Sequence, residues 1–149
     1  MIILRRAKEE DCAVIYQLRN HPAVRKGCFC SEPIEFADHR GWFKDSLKRD
    51  NRIILLAYHE GEVVGVLRFD LLGHIRDVAE VSIYIAPQLH GQGWGSKVLQ
   101  EGESWLLQNT EIRTIIARVK EQNEASVKLF TGSGFTLDSM IFKRNVPGR

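Results

Sequence analysis

Pro87-Gln88-Leu89-His90-Gly91-Gln92-Gly93-Trp94-Gly95-Ser96 is the stretch on which the reading of this chain turns. Ahead of it, Val81-Ser82-Ile83-Tyr84-Ile85 alternates as a strand does. Behind it, Val98, Leu99, Gly102, Trp105 and Leu106 fall on one face of a helix. Strand, glycine turn and helix start therefore follow one another. Glycine has no side chain in the way, so backbone amides there can turn toward one point. At a helix start, free amides and the helix dipole together suit an anion such as phosphate. The order predicts a cradle for the pyrophosphate of a cofactor. Glycines placed directly before a helix would otherwise only weaken its start.

Two other phosphate-binding spacings do not fit. A dinucleotide fold places G-x-G-x-x-G beside its first strand, with an acidic residue about 20 positions later. Gly91, Gly93 and Gly95 give G-x-G-x-G, well past mid-chain. A triphosphate loop needs Gly-Lys followed by Ser or Thr; Gly95-Ser96-Lys97 has the wrong order.

The stretch resembles the acetyl-CoA pyrophosphate loop of the GNAT N-acetyltransferase superfamily. That pattern is Arg or Gln, two residues, Gly, one residue, then Gly or Ala. Two registers fit, Gln88 to Gly93 and His90 to Gly95. A proline just after the strand, here Pro87, favours the second, which puts His90 where the family carries Arg or Gln. Downstream, Asn123-Glu124-Ala125-Ser126-Val127-Lys128-Leu129-Phe130 and Gly132-Ser133-Gly134-Phe135 are similar to the family's later N-x-x-S-x-x-x-Tyr and Gly-Phe pattern.

The resemblance implies a fold and a site. The fold is α/β (α+β): a mixed, mainly antiparallel sheet of about six to seven strands, four helices on both faces, and a splay between strands four and five. Acetyl-CoA would be held by His90, Gly91, Gln92, Gly93, Trp94, Gly95 and Ser96, with Asn123 and Phe130. Main-chain groups of Ile83, Tyr84 and Ile85 would receive the pantetheine arm at the splay. An attacking amine must be neutral, so a base or a water chain takes its proton. A backbone donor would face the thioester oxygen as charge develops. Some relatives carry a Glu on the fifth strand where this chain has Arg118. Glu80 on the fourth strand is the candidate base in its place, acting through water; a solvated strand-end carboxylate is the competing reading. His39 and His21 are second choices. The family's tyrosine acid corresponds to Phe130, which cannot donate a proton, and Tyr84 is the candidate replacement. A module that binds acyl-CoA without transferring it is the alternative.

The acceptor is read from the stretch after the first helix. Arg19-Asn20-His21-Pro22-Ala23-Val24-Arg25 and His39-Arg40-Gly41-Trp42 resemble the R-N-x-x-x-V-R and H-x-x-W pieces of the GNAT branch that acetylates nucleotide-linked amino sugars, of pseudaminic-acid type. Ribosomal-protein N-terminal acetyltransferases share part of this. The resemblance implies Arg25 and Lys26 on a diphosphate and Phe29 or Trp42 on a base, with His39 also in the acceptor site. A protein N-terminus or an amine metabolite stays open as acceptor. An acidic groove would favour a polyamine or cationic peptide, and a basic one a nucleotide sugar.

Whole-chain properties bound these readings. The 149 residues suit one domain, 1–149. Lys and Arg number 21 and Asp and Glu 19, a net +2, which argues against an extended nucleic-acid surface. No apolar run is long enough to span a bilayer, and the start lacks a signal-peptide pattern. Cys12, Cys28 and Cys30 have no zinc spacing. The expectation is a cytoplasmic monomer or homodimer, acting on a small-molecule amine, with no metal, nucleic acid or membrane partner.

Local patterns predict the remaining elements. Ile2 to Arg6 reads as a strand and Glu9 to Asn20 as a helix ended by His21-Pro22. Val24 to Pro33 reads as irregular and Phe36 to Lys48 as a helix. Arg52 to His59 and Val63 to Leu71 read as a hairpin about Glu60-Gly61-Glu62. Val78 to Ile85, Arg113 to Val119, Phe135 to Leu137 and Met140 to Val146 read as further strands. A helix starts at Asn123, a good cap residue, and ends at Gly132 to Gly134.

Overall fold

The computed structural model describes residues 1–148. Five strands form one sheet in chain order: β1 (Ile2–Arg6), β2 (Arg52–His59), β3 (Glu62–Leu72), β4 (Val78–Ile85) and β5 (Thr114–Ile116). Neighbours from β1 to β4 run antiparallel, and β5 runs parallel to β4. The helices are α1 (Cys12–Asn20), α2 (Pro22–Arg25), α3 (Phe36–Lys48), α4 (Trp94–Asn109) and α5 (Glu124–Gly132). This is the mixed, mainly antiparallel α/β architecture that the sequence predicts, with the splay between β4 and β5.

Local chemistry accounts for the elements. Glu60 and Gly61 have φ of 51° and 82°. Two consecutive positive φ values match the twist of a hairpin and let β2 turn straight into β3. Ahead of Pro22, His21 leaves helical geometry at φ −64°, ψ 133°, which ends α1. Its Nδ1 then accepts the Ala23 amide at 3.1 Å and starts α2, a helical turn that the sequence reading leaves as irregular chain. Asn123 caps α5 through Oδ1, which accepts the Ser126 amide at 3.2 Å.

The sheet is covered on both faces. Leu55, Leu67, Phe69, Ala79 and Val81 pack with Val98, Leu99 and Leu106 of α4 and Phe130 of α5. On the other face, Ile54, Leu56 and Val66 pack with Ile15 of α1 and Phe43 of α3. Burial on both sides explains why β2 reads as continuous apolar sequence instead of alternating. Arg5 ties β1 to the start of α1: Nη1 and Nη2 each donate to Asp11 at 2.7 Å, and Nη2 also reaches the Tyr58 hydroxyl at 2.7 Å. That guanidinium holds the Asp11 carboxyl below its ordinary value. No helix among the described residues is long and apolar enough to cross a membrane.

Three expectations need correction. The sheet has five strands, not six or seven. β5 is limited to Thr114–Ile116 instead of Arg113 to Val119. Neither closing strand forms within 135–148. Apolar residues make a strand only against a partner edge and a buried face, and Leu137, Met140, Ile141, Phe142 and Val146 find neither; all are exposed. Phe135 alone is anchored, its amide donating to the Phe130 carbonyl at 2.9 Å and its ring 5.1 Å from that of Phe130.

Candidate active site

β4 meets β5 over three residue pairs, Val78 with Thr114, Ala79 with Ile115 and Glu80 with Ile116. From Val81 to Ile85, β4 has no strand on that side. Backbone groups along such an edge need partners, and an extended polar arm can supply them. Ile85 is already served in part, because a His90 ring nitrogen stands 2.7 Å from its carbonyl oxygen. This draws His90 back against the strand end.

The glycine turn follows directly. Gly91 and Gly93 have φ of 76° and 80°, the left-handed region that other residues resist, and a Cβ on either would meet nothing within 4 Å. Gly93 is the N-cap of α4 and offers no side chain to its first turn. The first amides of α4 therefore lack an intrahelical acceptor and stand beside open space. That combination fits a diphosphate. Gly95 serves packing instead. A Cβ there would lie 3.3 Å from Leu129 Cδ1, so its absence lets α4 approach α5. The Trp94 ring is used elsewhere, edge-on to His59 at 5.0 Å with the Lys97 ammonium 4.9 Å from its centroid. Gln92 Nε2 donates to the Gln88 carbonyl at 3.0 Å, bracing the turn.

A cavity of ≈ 330 Å³ opens on the sheet face covered by α1 and α3. Ile54, Val66, Arg68 and Tyr84 come from the sheet; Ile15, Arg19, Ile34, Asp38, His39 and Trp42 come from the covering elements. Tyr84 belongs to both features. It sits in the part of β4 that β5 leaves uncovered, with its own amide and carbonyl turned to β3, and its ring lines the cavity. Burial pushes its phenol above the ordinary value, so it stays protonated. His39 is 3 % exposed and stacked on Phe43 with centroids 5.9 Å apart. Burial lowers its pKa, keeping the ring neutral, and its Nε2 has no hydrogen-bond partner.

Of the residues expected to bind the acceptor, the structure brings His39 and Trp42 to the cavity. Arg25, Lys26 and Phe29 do not line it. Arg25 clamps its own loop, donating to the carbonyls of Asn20 at 2.9 Å and Ser31 at 3.3 Å, and Phe29 is exposed. Glu80 pairs with Arg118, the residue standing where some relatives carry a base, and is not among the cavity residues. Asn123 is occupied at both ends, capping α5 and donating to the Gly27 carbonyl at 3.2 Å. Phe130 is buried in the core against Phe135. His21 caps α2. Among the described residues, no three His, Cys, Asp or Glu side chains are grouped to hold a metal ion.

Sequence reasoning quotes Arg19 in the R-N-x-x-x-V-R piece without giving it a role, and misses Asp38 and Arg68. The signal for Arg68 is present: Arg68 and Asp70 interrupt an otherwise apolar strand, and charges in a strand covered on both faces need partners. Arg68 Nη2 donates to Ser82 Oγ at 3.2 Å; Nε lies 3.1 Å from Asp70 Oδ2 but is misaligned for a hydrogen bond. Arg52 takes the other Asp70 oxygen at 2.5 Å. Trp42 lies beneath both guanidiniums, 5.3 Å from that of Arg52 and 5.6 Å from that of Arg68.

Known proteins share this fold. The profile described as Acetyltransferase (GNAT) domain matches residues 1–136. The chain is 26% identical over 145 residues to the L-amino acid N-acyltransferase MnaT of Escherichia coli (strain K12), covering 93% of this chain and 81% of that protein. It is 23% identical over 128 residues to the acetyltransferase PseH of Campylobacter jejuni (strain 81-176), covering 86% and 78%. The fold matches that of AAC(6')-Ib, solved in complex with ribostamycin and coenzyme A, with a TM-score of 0.84 at 17% identity, covering 94% of this chain and 86% of that one.

Proposed function

The chain belongs to the GNAT acetyltransferase family and is an acyltransferase, and from that premise we propose that it moves an acetyl group from acetyl-CoA to a small primary amine. The observation that carries this reading is the open glycine turn, with uncapped amides, directly after a strand that has lost its neighbour. The diphosphate rests on the amides around Gly93, and the pantetheine arm runs along Ile83, Tyr84 and Ile85. The amine nitrogen attacks the thioester carbon, the carbon–sulfur bond breaks, and coenzyme A leaves as thiolate. Tyr84, protonated and reaching from this edge into the cavity, is the candidate to reprotonate the sulfur. The proton lost by the amine passes through water to Glu80.

Support for the acceptor is of two kinds. The R-N-x-x-x-V-R and H-x-x-W pieces, and the similarity to PseH, favour a nucleotide-linked amino sugar. On that reading the nucleotide lies outside the cavity, near Lys26 and Phe29. The similarity to MnaT favours an amino acid.

The test is Gly93→Glu. The new side chain is strained at φ 80°, and its carboxylate faces the diphosphate. Acetyl-CoA binding by calorimetry should fall at least ~100-fold, as like charges meet at a phosphate site. Unchanged affinity in a folded variant would remove the cradle from this reading.

A further inference from the structure

Two arginines face one cavity, and each has a buried N–H without a hydrogen-bond acceptor, Nη1 of Arg19 and Nε of Arg68. Arg19 Nη1 is buried with no partner, while Nη2 donates to the Cys30 carbonyl at 3.2 Å. No carboxylate forms an ion pair with Arg19 among the described residues. A buried guanidinium N–H left unpaired is costly, so such a group marks a place where a ligand acceptor belongs. Arg68 adds a second cation. It shares Asp70 with Arg52, so that trio keeps a surplus of one positive charge. The single acidic residue on the cavity wall is Asp38, which is exposed. His39 contributes a neutral ring with a free Nε2. The wall is therefore net positive, and the rest of it is aliphatic or aromatic.

This charge pattern repels polyamines and other polycations. It suits an acceptor that bears an anion close to its amine. Size narrows the class further. At ≈ 330 Å³ the cavity lies at the small end for ligand sites. It suits a molecule of amino-acid size and is too small to take in a nucleotide as well. We propose, resting on the transferase reading, that this cavity binds an α-amino carboxylate with an apolar side chain. The carboxylate would be held by Arg19 and Arg68, and the side chain would lie among Ile15, Ile54, Val66 and Trp42. The reactive form of such an acceptor has a neutral amine and carries one negative charge, which matches the surplus on the wall.

The experiment compares L-methionine with L-methioninamide, which keeps the amine and side chain but lacks the anion. Binding of each to the protein saturated with coenzyme A is measured by calorimetry, and transfer from acetyl-CoA by thiol release. The amino acid should bind, and should exceed the amide by about 100-fold in both affinity and kcat/KM, as expected for a site built around one charged group. Arg19→Gln should erase most of that preference while leaving affinity for coenzyme A unchanged. Equal binding of acid and amide by the native protein, or binding of a UDP-linked amino sugar but not of methionine, would overturn the proposal. Selective binding of methionine without any thiol release would uphold this site and sink the transferase reading instead.

Discussion

At the scale of single residues, the Arg5–Asp11 pair is the clearest stabilising contact. Asp11 is buried and accepts from both Arg5 and the Lys8 amide, the latter at 2.7 Å. A third of the Arg5 side chain remains exposed, so solvent screening keeps the pair well below the worth of a fully buried one. Asp11→Asn should cost about 1–2 kcal/mol at neutral pH. The sign with pH follows from the lowered carboxyl. The contribution is fully present above the unfolded value, about pH 4, and drains away as pH falls through the lower folded value. Urea melts at pH 7 and pH 3 should therefore show a gap between native and variant that narrows in acid. A gap of equal size at both pH values would mean the carboxylate charge is not what stabilises. The sequence showed Arg5 and Asp11 as two charges; nothing in their spacing showed that a β-strand and a helical turn would bring them face to face.

At the scale of elements, β4 and α4 do most to shape the molecule. β4 is bound to β3 along its length but to β5 over three pairs, and that inequality opens the slot. α4 sits close to the sheet because Gly102 lacks a Cβ. One placed there would lie 2.6 Å from Leu67 Cδ1 and 3.3 Å from Phe69 Cζ, both fully buried side chains. Gly102→Val should overpack this layer and cost about 2–3 kcal/mol, lowering Tm by roughly 5–10 °C. A variant melting with the native protein would show that α4 can shift freely off the sheet. The helical face through Val98, Leu99, Gly102 and Leu106 was legible from periodicity. The missing closing strands were not, because a short apolar run such as Met140 to Phe142 makes a strand only where an edge and a covering layer exist to receive it.

At the scale of the whole molecule, the family match ends at residue 136, and the sheet, the glycine turn and the cavity all lie before that point. Lys143 and Arg144 follow in exposed chain without regular structure. Brief trypsin treatment should cut first at Lys143 or Arg144, because exposed chain outside a ladder is the preferred site of nicking. Mass spectrometry of the earliest fragments checks this; first cuts at Arg52 or Arg68 would contradict the fold.

The sequence by itself determined the succession of strand, glycine turn and helix, the hairpin at Glu60-Gly61, and hence the family and its splayed sheet. These depend on backbone conformations and periodicities that neighbouring residues dictate. Tertiary structure alone decided which charged groups converge. Arg19, Asp38 and Arg68 are distant in sequence, and only the closing of α1 and α3 over the sheet puts them around one cavity. It also decided that Arg25, Lys26 and Phe29 would lie away from that cavity, since burial and partner choice depend on how layers meet and not on any local pattern.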